Sequence, residues 1–197
     1  MLSIKPVRGS AGPGTVWCYN NWDFNALGTI FRNLTGADIF ADFSERIAKP
    51  CEMEDFRPKI DGKYIELRDS IHPAYRFRMS TRELARFGEL LLRSGRMGGR
   101  QVIPAHWTAM SILPYSNAGA SGAYGYMWWV ERAGILFRDA IVPPGTFAAL
   151  GAGGHCVVVI PALDTVIVHR VDTDQPGRFV PDTKLGRLLR LILMATP

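Results

Sequence analysis

The amino-acid sequence predicts an α+β fold, in which helices pack on an antiparallel β-sheet. Three observations lead to this prediction. Apolar residues recur at helical spacing in the first half of the chain, whereas short β-branched or aromatic segments separated by turn residues fill positions 124–171. The last two of these segments are joined by residues 161–164, which are too few for a crossover helix, so the segments should pair antiparallel. An amphipathic helix then ends the chain.

Composition and charge exclude several classes of protein. The chain has 197 residues, 47% hydrophobic and 21% charged, with a net charge of +5, which excludes intrinsic disorder. No apolar run approaches the roughly 18–20 residues of a membrane-spanning helix. Lysine and arginine are scattered singly among acidic residues, so we expect no nucleic-acid partner. Three cysteines without a CxxC pair do not favour a disulfide scaffold, and four histidines without metal-ligand spacing favour neither a metal nor another cofactor.

The first part of the chain, residues 1–79, is expected to form an entry loop and part of a helical subdomain. A helix begins at Asn21, and Gly36 ends it. The apolar residues that recur in it at three- and four-residue spacing are Phe24, Leu27, Phe31 and Leu34. A second helix is predicted from Thr35 or Ala37 to about residue 48. Residues 50–79 have no regular period and are expected to be irregular.

The second part, residues 80–197, is expected to form a partial α/β subdomain. Ser80 and Glu83 have the spacing of a capping box, which predicts a helix to about residue 94, and a short helix follows over 104–112. The predicted strands are 124–130, 135–142, 146–150, 155–160 and 165–171. Asp182 is expected to cap the final helix, whose apolar face contains Leu185, Leu188, Leu189 and Ile192.

Two groups of residues could carry chemistry. Tyr19 precedes the first helix by two residues, where the helix N-terminus and a nearby lysine would favour a phenolate base, and Asn21 could hydrogen-bond a substrate amide. The alternative is that Asn21 caps the helix while Tyr19 packs against neighbouring tryptophans. The second group is the glycine cluster at 151–154. It is not a phosphate-binding loop, because a Val/Ile-rich strand follows it instead of a helix.

An ordered set of segments gives these residues a context. The first is Pro13-Gly-Thr-Val-Trp-Cys-Tyr-Asn-Asn-Trp-Asp-Phe-Asn-Ala-Leu-Gly28. It resembles the second motif region of the serine β-lactamase-like family, which includes penicillin-binding proteins, class C β-lactamases, esterases and 6-aminohexanoate-dimer hydrolases. Further similar segments follow in the family's order at 72–88, 98–104, 124–129 (Tyr-Gly-Tyr-Met-Trp-Trp) and 147–155 (Phe-Ala-Ala-Leu-Gly-Ala-Gly-Gly-His). The resemblance covers roughly residues 13–195 and is strongest to the esterase and amide-hydrolase branch.

The resemblance implies an acyl-enzyme mechanism, in which a serine attacks an ester or amide carbonyl. Tyr19 would match the tyrosine that passes a proton to the leaving group, and Asn21 would match the motif asparagine that binds substrate. The segment 150–154 would be the strand facing the nucleophile, with the N–H of Ala152 as half of the oxyanion hole. The implied substrate-binding residues are therefore Asn21, Gly151, Ala152, Gly153, Gly154 and His155. Ala149 stands where many relatives have Lys or His, which favours neutral esters or amides over β-lactams.

The family's Ser-x-x-Lys motif, which lies upstream of the tyrosine, does not occur in the sequence: no serine has lysine three positions later. We therefore expect an N-terminally incomplete fold that is inactive alone, open at one sheet edge and prone to self-association. A non-catalytic binding module and a half-enzyme completed by another chain are the alternatives. The sequence starts without an apolar leader, which predicts a cytoplasmic protein as written, or a periplasmic or secreted one if an upstream signal exists.

Overall fold

The computed structural model describes residues 6–196. The chain divides into two compact units, Met1–Glu83 and Leu84–Pro197. Helices and antiparallel sheets make up both units, so the predicted α+β class is confirmed. No helix in the described part of the chain has the length and apolar character needed to span a membrane.

Helix α1, Asn21–Thr35, opens the first unit as the sequence predicts. The side chain of Asn20, rather than that of Asn21, caps it by accepting a hydrogen bond from the Trp22 amide. Gly36 ends the helix in the left-handed conformation, with φ of 67°, which glycine adopts without a steric penalty.

The second helix begins later than predicted. Its N-cap is Asp38, whose carboxylate accepts the amide hydrogen of Ala41 at 2.9 Å. It consists of α2, Ile39–Phe43, and continues as the π-helical segment Ser44–Ala48. The short helix α3, Pro58–Asp61, follows.

The expectation that residues 50–79 are irregular is wrong. Strands β1, Gly62–Leu67, and β2, Ser70–Phe77, pair antiparallel as a hairpin. The hairpin is stabilised by aromatic residues that are distant in sequence, and local periodicity could not reveal such contacts. The rings in contact belong to Phe40, Phe43, Phe56, Tyr64 and Phe77.

Helix α4, Thr81–Leu92, begins at the predicted capping box, but the box forms only in part. The Ser80 hydroxyl accepts the Glu83 amide hydrogen at 3.3 Å. The fully buried Glu83 carboxylate accepts the amide hydrogens of Glu54 and Asp55, each at 2.7 Å. This contact ties the preceding loop of the first unit to the start of the helix.

The second unit is built on a six-stranded antiparallel sheet in the order β10-β9-β8-β7-β6-β5. Its strands are β5 Ser116–Asn117, β6 Ala123–Tyr124, β7 Trp129–Val130, β8 Phe147–Gly151, β9 His155–Ile160 and β10 Thr165–His169. A small hairpin, β3 Arg96–Met97 and β4 Arg100–Gln101, and helix α5, Ala105–Ser111, precede it. Helix α6, Asp182–Ala195, follows it.

Strand β9 lies at the centre of two hydrophobic clusters. Its alternate residues, Cys156, Val158 and Ile160, pack with Leu185 and Leu189 of α6. Val157 and Val159, which point to the opposite face of the sheet, pack in a second cluster that also contains Leu91 of α4. The sheet is therefore covered by a helix on each face, as its uninterrupted apolar sequence at β9 requires.

The antiparallel pairing of β9 with β10, predicted from their four-residue connection, is confirmed by the register Thr165↔Ile160 to His169↔Cys156. Three details of the prediction are wrong. The segment 124–130 holds two short strands separated by a turn, and 135–142 holds only isolated bridges. Pro181, not Asp182, is the N-cap of α6. No described strand pairs with the outer edge of β10, so self-association through that edge stays a prediction.

Candidate functional site

Tyr19 lies in the first unit, next to the N-terminus of α1. Its half-buried ring lies 5.6 Å from the ring of Phe24 and 6.5 Å from that of Trp17, measured between centroids. Burial raises the pKa of Tyr19. This direction is opposite to the phenolate expected from the sequence. The phenol therefore keeps its proton near neutral pH, where it can donate a hydrogen bond.

Asn21 is the first residue of α1 and is exposed. Because Asn20 performs the capping, the Asn21 side chain is not used by the helix and makes no hydrogen bond to another described residue. The structural alternative considered for Asn21, that it serves as the cap, is therefore wrong. The side chain of Asn21 is available to a ligand.

The predicted glycine-rich segment lies in the second unit and forms a tight turn. Gly151 pairs with His155, so the turn between β8 and β9 consists of Ala152, Gly153 and Gly154. The two glycines have φ of 84° and 91°, a region that L-residues rarely adopt. Ala152 is exposed within this turn and does not belong to a strand. A strand follows at His155, as expected.

The glycines of the turn allow the close approach of a following loop. A Cβ atom at Gly153 would meet Thr173, and one at Gly154 would meet Val180. The Val180 amide also donates a hydrogen bond to the Gly153 carbonyl at 3.1 Å. The sequence analysis expects these glycines to allow close approach of a substrate. In the structure, a later segment of the chain occupies the space beside both glycines.

Two histidines hold the turn in place. Nδ1 of His155 accepts the Val171 amide hydrogen at 3.4 Å, and Nε2 lies 3.4 Å from the Thr173 hydroxyl. Burial, together with Arg170 and His169, lowers the pKa of His155, which is therefore neutral at pH 7. Nδ1 of His169 lies 2.7 Å from the Gly154 carbonyl, to which it donates. His155 accordingly shapes the turn instead of presenting a charge.

The end of β8 has one open flank. Strand β7 pairs only with Phe147 and Ala148 of β8, whereas β9 pairs along the whole strand to Gly151. The Glu131 amide donates to the Thr146 carbonyl at 2.8 Å, so the backbone groups of Thr146 point to the side of the sheet edge where β7 lies. Because peptide groups alternate along an antiparallel strand, the N–H of Leu150 points to this flank. Within residues 6–196 no backbone group pairs with it.

Sequence reasoning missed Leu150 because it depends on register. The motif marks a glycine-rich segment, but only the three-residue turn after Gly151 decides which amide faces away from β9. The structure thus gathers Gly151 to His155 around one turn of the second unit, while Tyr19 and Asn21 lie in the first unit. Among the described residues no group of three or more His, Cys, Asp or Glu side chains could hold a metal ion.

One comparison with known proteins identifies a family over most of the chain. The sequence model of the family described as Beta-lactamase matches residues 3–191. A curated but uncharacterized protein of Alkalihalophilus pseudofirmus is 22% identical over 180 residues, which cover 79% of this chain and 52% of that protein. The chain thus spans about half the length of the curated relative.

Solved structures share the fold. A protein from Bacillus anthracis assigned as a 6-aminohexanoate-dimer hydrolase superposes with a TM-score of 0.57 at 22% identity, covering 95% of this chain and 47% of that one. A β-lactamase from Mycobacterium bovis gives a TM-score of 0.58 at 17% identity, covering 94% of this chain and 66% of that one. A protein from Bacteroides dorei assigned as a β-lactamase gives 0.57 at 14% identity, with coverages of 90% and 58%.

Proposed function

The chain belongs to the β-lactamase family, and from that premise we propose that it supplies the substrate-binding and proton-donating part of a serine hydrolase for neutral esters or amides. The observation that carries the proposal is the open flank of β8, where the unpaired N–H of Leu150 points away from β9. Such an amide can donate to the oxygen of a carbonyl under attack, which gains negative charge as the tetrahedral intermediate forms.

The proposed roles follow from the chemistry of each group. On a second segment, the lysine of Ser-x-x-Lys takes the proton of the serine hydroxyl as the serine oxygen adds to the substrate carbonyl. The resulting oxyanion accepts the hydrogen bond of the Leu150 amide. The protonated phenol of Tyr19 gives its proton to the leaving alkoxide or amine as the carbonyl re-forms, leaving an acylated serine. Asn21 hydrogen-bonds the substrate, and Gly151 keeps the flank of β8 free of side-chain bulk.

The turn residues have an indirect part in this proposal. The turn between β8 and β9 is held against residues 171–180 by contacts of Gly153, Gly154 and His155. This turn fixes the pairing register of β8 with β9, in which the N–H of Leu150 points away from β9. The exposed Ala152 remains the alternative donor to the oxyanion, since it follows Leu150 by two residues. Ala149, standing where a cation binds the carboxylate of β-lactams in many relatives, supports uncharged substrates. The Bacillus anthracis protein is named for the hydrolysis of an amide.

The nucleophile is not part of the proposal for this polypeptide, because none of its serines is followed by lysine at the third position. Acyl transfer would then require a second segment that carries Ser-x-x-Lys. The 197-residue polypeptide by itself should bind substrate without forming an acyl-enzyme.

Two measurements on the purified polypeptide test these statements. Incubation with p-nitrophenyl acetate, followed by intact-mass spectrometry, should show no stoichiometric acetyl adduct. An adduct would overturn the assignment of the nucleophile to another segment. Adding a separately produced segment of a family member that contains Ser-x-x-Lys should restore ester turnover, and Tyr19→Phe should reduce that turnover by at least tenfold.

Substrate binding is tested by NMR titration with the cyclic dimer of 6-aminohexanoate, which is an uncharged diamide. The Leu150 amide resonance should shift more than that of Ala152, and Asn21→Ala should weaken binding at least threefold. Asn33→Ala is the matched control, because Asn33 is an exposed asparagine on the same helix and should leave the affinity unchanged. Absence of saturable binding, or equal effects of both variants, would contradict the proposal.

A further inference from the structure

An exposed aromatic patch lies on the second unit, beside the end of the sheet formed by β5 and β6. Six side chains compose this patch, and each is between 39% and 50% exposed. They are Trp107, Met110, Leu113, Tyr115, Tyr126 and Met127. Neither the oxyanion proposal nor the turn at 152–154 uses any of them, and large exposed apolar patches on soluble proteins commonly mark interaction surfaces.

The patch lies in a stretch of sequence without charge. Residues 102–130 contain no Asp, Glu, Lys or Arg, although 21% of the whole chain is charged and 29 residues would hold about six at that frequency. Depletion of charge combined with Tyr, Trp and Met is the composition of the centre of a protein interface. The remainder of the chain, by contrast, carries the net charge of +5.

The aromatic side chains of the patch are already ordered against one another. The rings of Tyr115 and Tyr126 stack with centroids 4.7 Å apart and planes 11° apart, and Trp107 lies 5.6 Å from Tyr126. The Tyr115 phenol donates a hydrogen bond to Tyr126, which raises the pKa of Tyr115. Side chains held in this way lose little rotamer freedom when another surface covers them.

A strained turn presents two members of the patch. Met127 has a φ of 66°, which is unfavourable for a residue with a side chain. The turn is anchored from below, since the Tyr126 amide donates to the Ser111 carbonyl at 2.8 Å and a Cβ at Gly125 would collide with the same carbonyl. The next residue, Trp128, packs inward against Phe147. The backbone therefore accepts strain to keep Tyr126 and Met127 on the surface.

The size and neutrality of the patch fit a second copy of the chain. Side chains of these types at these exposures present on the order of 600 Å². Two such patches facing each other would bury roughly 1,200 Å², which reaches the lower limit of stable protein–protein interfaces. A two-fold contact brings each surface against itself, so a charged patch would repel its copy, whereas this one contains no charge that would do so.

We infer that the aromatic patch is the contact between two copies of this chain in a two-fold symmetric dimer. The stacked tyrosines and Trp107 form the centre of the contact, and Met110, Leu113 and Met127 surround them and exclude water. This contact lies at the β5 end of the sheet and is distinct from the open outer edge of β10. The dimer is independent of the proposed hydrolase role.

Sedimentation velocity over roughly 1–100 μM tests the dimer, since an interface of this small size is expected to be weak. The mass should rise with concentration from the 21.9 kDa of one chain to twice that value. The pair of substitutions Trp107→Ser and Tyr126→Ser should weaken association at least tenfold. The matched control, Leu34→Ser with Ile71→Ser, removes two apolar side chains that are 82% and 88% exposed on the first unit and should leave association unchanged.

Hydrogen exchange gives a second measurement that requires no variant. Comparison of dilute and concentrated protein should show slower exchange at the amides of 107–127 in the concentrated sample. Slower exchange at β10 instead would assign self-association to the sheet edge and overturn the inference. A monomer at every concentration, or equal weakening by the control variant, would also overturn it.

Discussion

Helices α1 and α6 have similar amphipathic sequences but use them in opposite ways. In α6 the apolar residues Leu185 and Leu189 are 4% and 1% exposed and complete the core beneath the sheet. In α1 the corresponding apolar residues Leu27 and Leu34 are 46% and 82% exposed. The residues that α1 buries are instead small or polar.

The neighbouring element explains this difference. Gly28 of α1 lies against the ring of Tyr75 on β2, and only a residue without a side chain permits that approach. Helix α6 packs on a sheet face made of aliphatic side chains, and its leucines fill the spaces between them. The spacing of apolar residues therefore identifies the apolar face of a helix. The neighbouring element determines which face of the helix is buried.

The largest effect should come from closing the tightest approach in each helix. A Cβ at Gly186 of α6 would overlap the backbone carbonyl of Arg138, which cannot move without the loop that carries it. We expect Gly186→Ala to lower the free energy of unfolding by about 3 kcal/mol. Gly28→Ala should lower the free energy of unfolding by only about 1 kcal/mol, because the Tyr75 ring can rotate away and alanine has a higher helix propensity than glycine. Urea unfolding followed by circular dichroism measures both, and equal losses would break the comparison.

Truncating one leucine in each helix should give the next largest difference. Leu189→Ala leaves a cavity between α6 and β9 and should cost about 3 kcal/mol. Leu34→Ala removes a side chain that is 82% exposed and should change stability by less than about 0.5 kcal/mol. If Leu34→Ala proves as costly as Leu189→Ala in thermal or urea melts, the apolar face of α1 is packed in solution.

Alkaline pH should weaken the core under α6. Burial raises the pKa of Cys156 to about 11, so the folded state keeps this proton after the unfolded chain has lost it. The stabilisation is complete below the ordinary thiol pKa of about 8.5 and is lost as the pH rises from there to about 11, by roughly 3 kcal/mol in total. Comparing urea midpoints of the wild type and Cys156→Ala across this range isolates the effect, and parallel curves would contradict it.

Acidic pH should have the smallest effect, at the turn between β8 and β9. The pKa of His155 is lowered by burial, Arg170 and His169, so unfolding allows this ring to take up a proton. Stability is retained above about pH 6.5 and falls as the pH drops below it. His155→Gln should flatten this part of the pH profile in thermal melts.

Several elements could be predicted from sequence because their signals are local. The helix from Asn21, the capping serine at residue 80 and the β9–β10 hairpin depend on residues within a few positions of one another. The hairpin at 62–77 was missed, since rings such as Phe40 and Phe56 stabilise it from elsewhere in the chain. Register, and the contacts of distant aromatic residues, cannot be obtained from periodicity.

The candidate site also has features that local sequence predicts and features that it does not. The motif located Tyr19, Asn21 and the glycine-rich segment, because each residue type stands in a recognisable order. The protonation of the Tyr19 phenol depends on burial, and the orientation of the Leu150 amide depends on strand pairing. These are three-dimensional properties, and for Tyr19 they favour the proton-donor role that the resemblance implies over the phenolate base.

Strand β9 also has a consequence for the life of the chain before it folds. Its residues Cys156 to Ile160 are apolar and uncharged, contain no proline and are mostly β-branched, which is the composition of segments that stack into amyloid. The connection to β10 is only four residues long, so this hairpin can close in about 1–10 μs and cover one edge of β9. Rapid local closure thus protects a nascent chain from aggregation at its most hazardous segment.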